Sequence, residues 1–104
     1  MLKFTYEGND YELGFTKRTV QVLDKQGFTV DKLMEYPATY IPMLFEASFI
    51  AKHKFVNKDL VEKIYESLPD KKGVVAALAE LYAEPVNNLF VEPAEGNAIA
   101  WTKD

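Results

Sequence analysis

Few residues in this sequence could carry catalysis. His53 is the single histidine, and the serines are Ser48 and Ser67. A serine nucleophile needs a base within hydrogen-bond reach. Ser48 and His53 lie five residues apart on one predicted helix, so their side chains point about 140° apart around its axis. They therefore cannot pair as nucleophile and base, and His53, between two lysines, is interpreted as a solvated side chain.

The sequence also offers little for metal or thiol chemistry. It contains no cysteine, which removes disulfides, cysteine-ligated zinc and thiol catalysis. Glu7, Asp10 and Glu12 lie close together, but they flank a predicted tight turn and lack the spacing of a calcium loop. The five glycines are scattered and form no phosphate-binding loop. We therefore expect no catalytic residue, no metal and no cofactor.

The composition is that of a folded domain with one core. The 104 residues are 48% hydrophobic and 27% charged, a balance that disfavours wholesale disorder. The net charge of −4 disfavours a dedicated nucleic-acid binder, which usually carries a basic surface. The longest apolar run, residues 40–51, is short and includes Glu46, so we expect a buried helix and no membrane contact.

A β-hairpin is predicted around Gly8. Large and polar residues alternate on both sides of it, which indicates two strands with one apolar face. That face consists of Leu2, Phe4, Tyr6, Tyr11, Leu13 and Phe15. Gly8 and Asn9 are predicted to form the turn, because both tolerate positive φ. An isolated hairpin is marginal in water, so its apolar face must pack on helices or on further strands.

Helix caps and helix breakers divide the rest of the sequence. Thr16 and Asn57 are typical N-caps, and Gly27 is a typical residue after a helix end. Pro42 is expected in a first helical turn, whereas Pro85 is expected to bend or divide its helix. The predicted helical segments are residues 17–26, 29–36, 38–54, 58–68 and 71–90.

These elements predict an α+β fold that is mainly α, with an N-terminal β-hairpin followed by a compact bundle of about four to five helices. Residues 1–93 are assigned to a single domain and residues 94–104 to a C-terminal tail, where residues 97–101 form either a short strand or an ordered extension. Leu44 and Phe45, in the central helix, are predicted to be buried. Either the tail pairs with the hairpin of its own chain, or the hairpin edge or the tail pairs with a neighbouring subunit.

This order of segments resembles a family of small proteins from tailed phages and prophages of Gram-positive bacteria that is similar to tail assembly chaperones. The resemblance covers residues 3–101. It is carried by the segments "FTYEGNDYELGFTKRTV", "LFEASFIAKHKFV", "IYESL", "LAELYAEPVNNL" and "GNAIAW".

The resemblance implies a non-catalytic protein that binds the tape measure protein before the tail is built and helps recruit tail tube subunits. It also implies a homo-oligomer in the cytoplasm of the bacterial host that is absent from the mature virion. We expect the hairpin to have a role in assembly, because a chaperone that coats a long client must repeat itself. Phe49, Phe55, Phe90 and Trp101 are predicted to contact a partner. Trp101 is equally compatible with an anchor folded back onto the core.

Two alternative interpretations assign the protein to other classes. A structural minor tail protein or head–tail connector would remain in purified virions. A host-directed phage interaction protein would bind a host enzyme.

Overall fold

The fold is α+β and mainly helical, which confirms the predicted fold class. The structure is a computed structural model that describes residues 1–103, and Asp104 of the predicted tail lies outside the described residues. The elements are β1 (Leu2–Tyr6), β2 (Asn9–Leu13), α1 (Lys17–Lys25), α2 (Lys32–Glu35), α3 (Pro37–Ala47), α4 (Lys58–Ser67) and α5 (Lys71–Asn88). A 3₁₀ turn at Glu95–Asn97 follows α5.

The hairpin turn lies one residue earlier than predicted. Its two residues are Glu7 and Gly8, with φ of 48° and 80°, and Asn9 belongs to β2. This register places Thr5 opposite Asp10, and the Thr5 hydroxyl donates to the Asp10 carboxylate at 2.7 Å. The predicted turn at Gly8 and Asn9 would place Glu7 opposite Asp10, a like-charge pair that destabilises a sheet.

The hairpin covers one side of the helical core. Tyr11 and Leu13 of β2 are buried, and the apolar side chains of β1 are half-buried. The Tyr11 ring stacks on Phe4 at 5.3 Å and meets the edge of Phe49 at 6.0 Å, measured between ring centroids. These contacts supply the apolar neighbours that an isolated hairpin lacks.

The prediction that the central helix reaches residue 54 is wrong, because α3 ends at Ala47. A longer helix would need the Ser48 carbonyl to accept from residue 52. That carbonyl instead accepts from the Gly14 N–H at 3.0 Å, which ties the end of α3 to the end of β2. Pro42 lies in the second turn of α3 and not in the first, since the helix begins at Pro37.

The helix caps follow the sequence signals closely. Thr16 caps α1 by accepting from the Thr19 N–H at 3.2 Å, and Asn57 caps α4 by accepting from the Leu60 N–H at 3.1 Å. Asp70 caps α5 in the same way. Of the two outcomes expected at Pro85, a bend or a division of the last helix, the division is wrong, because α5 continues from Lys71 to Asn88.

The core lies between the hairpin and helices α1, α3, α4 and α5. Leu44 and Phe45 are buried, at 1% and 2% exposure, as predicted. The other large side chains with less than 2% exposure are Leu13, Leu23, Phe49, Ile64 and Leu78. Among the described residues, no helix has the length and apolar character that crossing a membrane requires.

Candidate functional site

His53 is part of the packing and not the solvated side chain that its neighbours in sequence suggest. It is half-buried, and its Nε2 accepts a hydrogen bond from the Glu12 N–H at 3.1 Å. Its ring lies 5.1 Å from the ring of Tyr11. The contact holds the hairpin against the segment that follows α3. Within residues 1–103, His53 and the carboxylates form no cluster of three that could hold a metal ion.

A second buried polar contact joins α1 to α5. The Tyr82 hydroxyl donates to an Asp24 carboxylate oxygen at 3.1 Å, and Tyr82 is buried at 7% exposure. Burial, together with the nearby Asp24 carboxylate, raises the pKa of Tyr82 to about 12. The phenol therefore stays neutral over the physiological pH range, and its geometry is that of a structural contact.

The four residues predicted to contact a partner occupy very different environments. Phe49 is fully buried at 0% exposure, where it packs against Phe45 and Tyr11, so its side chain offers no surface to a partner. Phe55 is 97% exposed in the connection between α3 and α4. Phe90 and Trp101 are each 82% exposed.

Phe90 and Trp101 belong to a segment that we call the C-terminal arm, residues 89–103. Every residue of the arm is exposed. It contains the 3₁₀ turn, and none of its residues pairs with the hairpin, which forms a sheet of two strands in the described chain. The short strand that was one prediction for this segment is therefore absent from residues 89–103. Trp101 does not fold back onto the core.

A groove of apolar character crosses the surface where α2, the start of α3, the end of α4 and α5 meet. We call it the apolar groove; its volume is about 550 Å³, within the range of about 300–1,000 Å³ typical of ligand sites. Ile41, Val75 and Ala79 are half-buried within it, and Ala76 is exposed. Met34, at 87% exposure, stands at its edge. The groove therefore presents side chains that the core does not fully cover.

The charges at the apolar groove are positive. Among the described residues that line it, the charged ones are Lys71 and Lys72. Lys71 also caps α4, because its Nζ donates to the Leu68 carbonyl at 2.8 Å and lies 5.7 Å from the ring centroid of Tyr65. Lys72 is exposed. This rim favours a ligand that carries negative charge beside an apolar face.

A narrower cleft between α3 and α4 continues the apolar groove, since Ile41 and Tyr65 line both. Its volume is about 170 Å³. Glu46, Glu62 and Glu66 lie along this cleft, opposed by a single lysine. The apolar groove thus carries lysines, and the adjoining cleft carries mainly glutamates.

The whole sequence, residues 1–104, matches the model of a family described as "Domain of unknown function (DUF5055)". The chain belongs to this family. Comparisons with curated proteins and with solved structures found no match. The family description names neither an activity nor a partner, so a function must be inferred from the sequence and the geometry.

The apolar groove has no local signature in the sequence. Its residues come from four helices, α2 to α5, and no local pattern brings Met34 and Ile41 beside Val75. One feature of the sequence pointed to the groove: α5 has more apolar residues than a single buried face of a helix needs. Leu78 and Tyr82 of α5 are buried, whereas the apolar residues at 75, 76 and 79 remain in the groove.

Proposed function

We propose that this protein is a non-catalytic tail assembly chaperone that binds the tape measure protein of a tailed phage or prophage. Two observations support the proposal. One is the order of sequence segments, which resembles the phage family that is similar to tail assembly chaperones, and the other is the apolar groove. The groove is the observation that carries it. A chaperone for apolar helical stretches needs a surface where an amphipathic helix can lay its apolar face.

The charges of the groove and of the adjoining cleft favour one orientation of such a client. Helices commonly carry acidic residues in their first turn and basic residues in their last turn, because these charges complement the helix dipole. The acidic first turn would lie beside Lys72, and the basic last turn would lie beside Glu62. The apolar face between them would contact Ile41 and Val75 in the groove.

The remaining partners follow from the same role. The protein would hold the tape measure protein in the cytoplasm of the bacterial host, self-associate along it and help recruit tail tube subunits. Contacts repeated along a long client add through avidity, so each single contact can be weak. The protein would leave before the virion is complete.

The binding experiment uses peptides that cover the amphipathic helices of the tape measure protein encoded in the same genome, measured by isothermal titration calorimetry. Ala76→Glu places a charge inside the groove and should weaken binding about tenfold or more, the effect expected of a disrupted interface centre. Ala38→Glu is the matched control, because Ala38 is an exposed helical alanine outside the groove.

A second pair of variants tests how much the positive charge at the groove contributes to peptide binding. Lys72→Glu and Lys63→Glu make the same change in net charge at exposed lysines, but only Lys72 lines the groove. Acidic peptides should lose affinity with the first variant and keep it with the second. Peptides that bind equally to both variants, or bind none of the proteins, would contradict the proposed site.

Mass spectrometry of purified virions separates the chaperone from the structural alternative. The proposal expects tape measure and tail tube proteins in the virion without this protein. A stoichiometric amount of this protein in virions would instead support a minor tail or head–tail connector role.

A further inference from the structure

The C-terminal arm leaves large apolar side chains without neighbours. Phe90, Ile99 and Trp101 are each more than 80% exposed. The radius of gyration is 16.4 Å, compared with about 13 Å for a compact chain of this length, and the longest dimension is 56 Å. The arm therefore extends from the body, and a contact that covered these side chains would remove substantial apolar surface from water.

The arm begins at the end of α5 that is remote from the apolar groove of its own chain. The N–H groups of Leu89, Phe90 and Val91 donate to the carbonyls three residues earlier, so the first residues of the arm continue the direction of α5. Val75, in the groove, lies about 20 Å back along the helix from Asn88. The arm and the groove are thus at opposite ends of α5.

The arm and the groove are complementary in charge and in apolar character. The arm carries Glu92 and Glu95 between its apolar residues, and the groove carries Lys71 and Lys72 beside its apolar lining. An extended segment of residues 89–103 can span about 50 Å, which is long enough to cross from one molecule to another.

We infer that, in the protein free of client, the arm of one copy occupies the apolar groove of a second copy. Each copy offers one arm and one groove, so copies can join head to tail. The inference rests on the proposed function only in that a client helix would displace the arm from the same groove. The self-association is tested without any client, so its failure would leave client binding to be judged separately.

Trp101 provides a direct probe, because it is the single tryptophan of the chain. Its emission should shift to shorter wavelength as protein concentration rises, and the mass measured by sedimentation equilibrium should rise over the same range. Ala76→Glu should raise the dissociation constant about tenfold or more and keep the emission of Trp101 that of an exposed side chain. Ala38→Glu, outside the groove, should behave as the wild type.

Complementation of two defective full-length chains gives the decisive measurement. One chain carries Phe90→Ser and Trp101→Ser and keeps its groove; the other carries Ala76→Glu and keeps its arm. Each should be monomeric alone, and an equimolar mixture should form a one-to-one complex in which Trp101 of the second chain becomes buried.

Three results would overturn the inference. One is a wild type that stays monomeric at every concentration. Another is a mass increase that Ala76→Glu leaves unchanged, which would place the contact elsewhere. The third is a shifted Trp101 emission in a monomer, which would mean that the arm docks on its own chain.

Discussion

Phe45→Ala should lower the free energy of unfolding by about 3–5 kcal/mol, the cost typical of removing a buried phenylalanine side chain. The upper part of that range is expected here. Phe45 is 2% exposed, and its ring meets the edges of Phe49 and Tyr65, each at 5.1 Å between centroids. Aromatic pairs of this kind add about 0.5–1.5 kcal/mol beyond burial. Because Phe45 joins α3 to α4, alanine would leave a cavity that neither helix can close alone.

Urea unfolding followed by far-ultraviolet circular dichroism measures this loss. Phe55→Ala makes the same truncation at a side chain that is 97% exposed, so its effect should stay within about 0.5 kcal/mol. The difference between the two variants isolates burial from residue type. A loss well below 1 kcal/mol for Phe45→Ala would refute the reasoning, since Phe45 would then belong to a surface that opens for a partner.

Three further perturbations test individual contacts. Stability that depends on neutral Tyr82 should be complete below pH 10 and lost as the pH rises toward about 12, since its pKa is raised in the folded state; Tyr82→Phe should remove this part of the alkaline unfolding curve. Gly73→Ala places a Cβ against the Asp70 carboxylate that caps α5. In the wild type, the helix propensity that alanine gains over glycine should be offset by the loss of the Asp70 cap, so stability should hardly change. In an Asp70→Ala background there is no cap to lose, and the same substitution should stabilise the protein by about 1 kcal/mol in urea unfolding. His53→Ala should cost about 1 kcal/mol by the same assay, because a strand N–H loses its acceptor; unchanged stability would show that the hairpin does not need this contact.

The elements that the sequence predicted well are those with local causes. Thr16 and Asn57 cap the N–H groups of residues three positions later, so a short stretch contains the whole interaction. Gly8 adopts a positive φ within the turn itself. The alternation of apolar and polar residues is likewise visible within the five residues of each strand, β1 and β2. Such features need no knowledge of the rest of the fold.

The errors arose where distant residues compete for the same backbone group. Apolar periodicity extends α3 through residue 54, but the Ser48 carbonyl accepts from Gly14, which is remote in sequence. His53 reads as a solvated side chain beside two lysines, yet Glu12 donates to it across 41 positions. Local propensity cannot anticipate contacts of this kind, because tertiary packing overrides it.

The apolar groove was hidden for a related reason. Apolar residues of a helix are read as core by default, and the sequence does not show how many of them the neighbouring helices will cover. Val75 and Leu78 look alike in the pattern of α5, yet Leu78 is 1% exposed and Val75 lies half-buried in the groove.

The hairpin packs against the core of its own chain, which limits its availability for contacts between copies. The N–H groups of Glu12 and Gly14 point away from β1 and are occupied by His53 and Ser48, so the outer edge of β2 is closed by the connection after α3. Lys3 lies opposite Glu12, which leaves its backbone groups on the free edge of β1. An exposed lysine on an edge strand discourages further strand pairing. A two-stranded ribbon on a helical protein is therefore accounted for by the cover it gives to Phe49, and the exposed arm is the better candidate for contact between copies that are free of client.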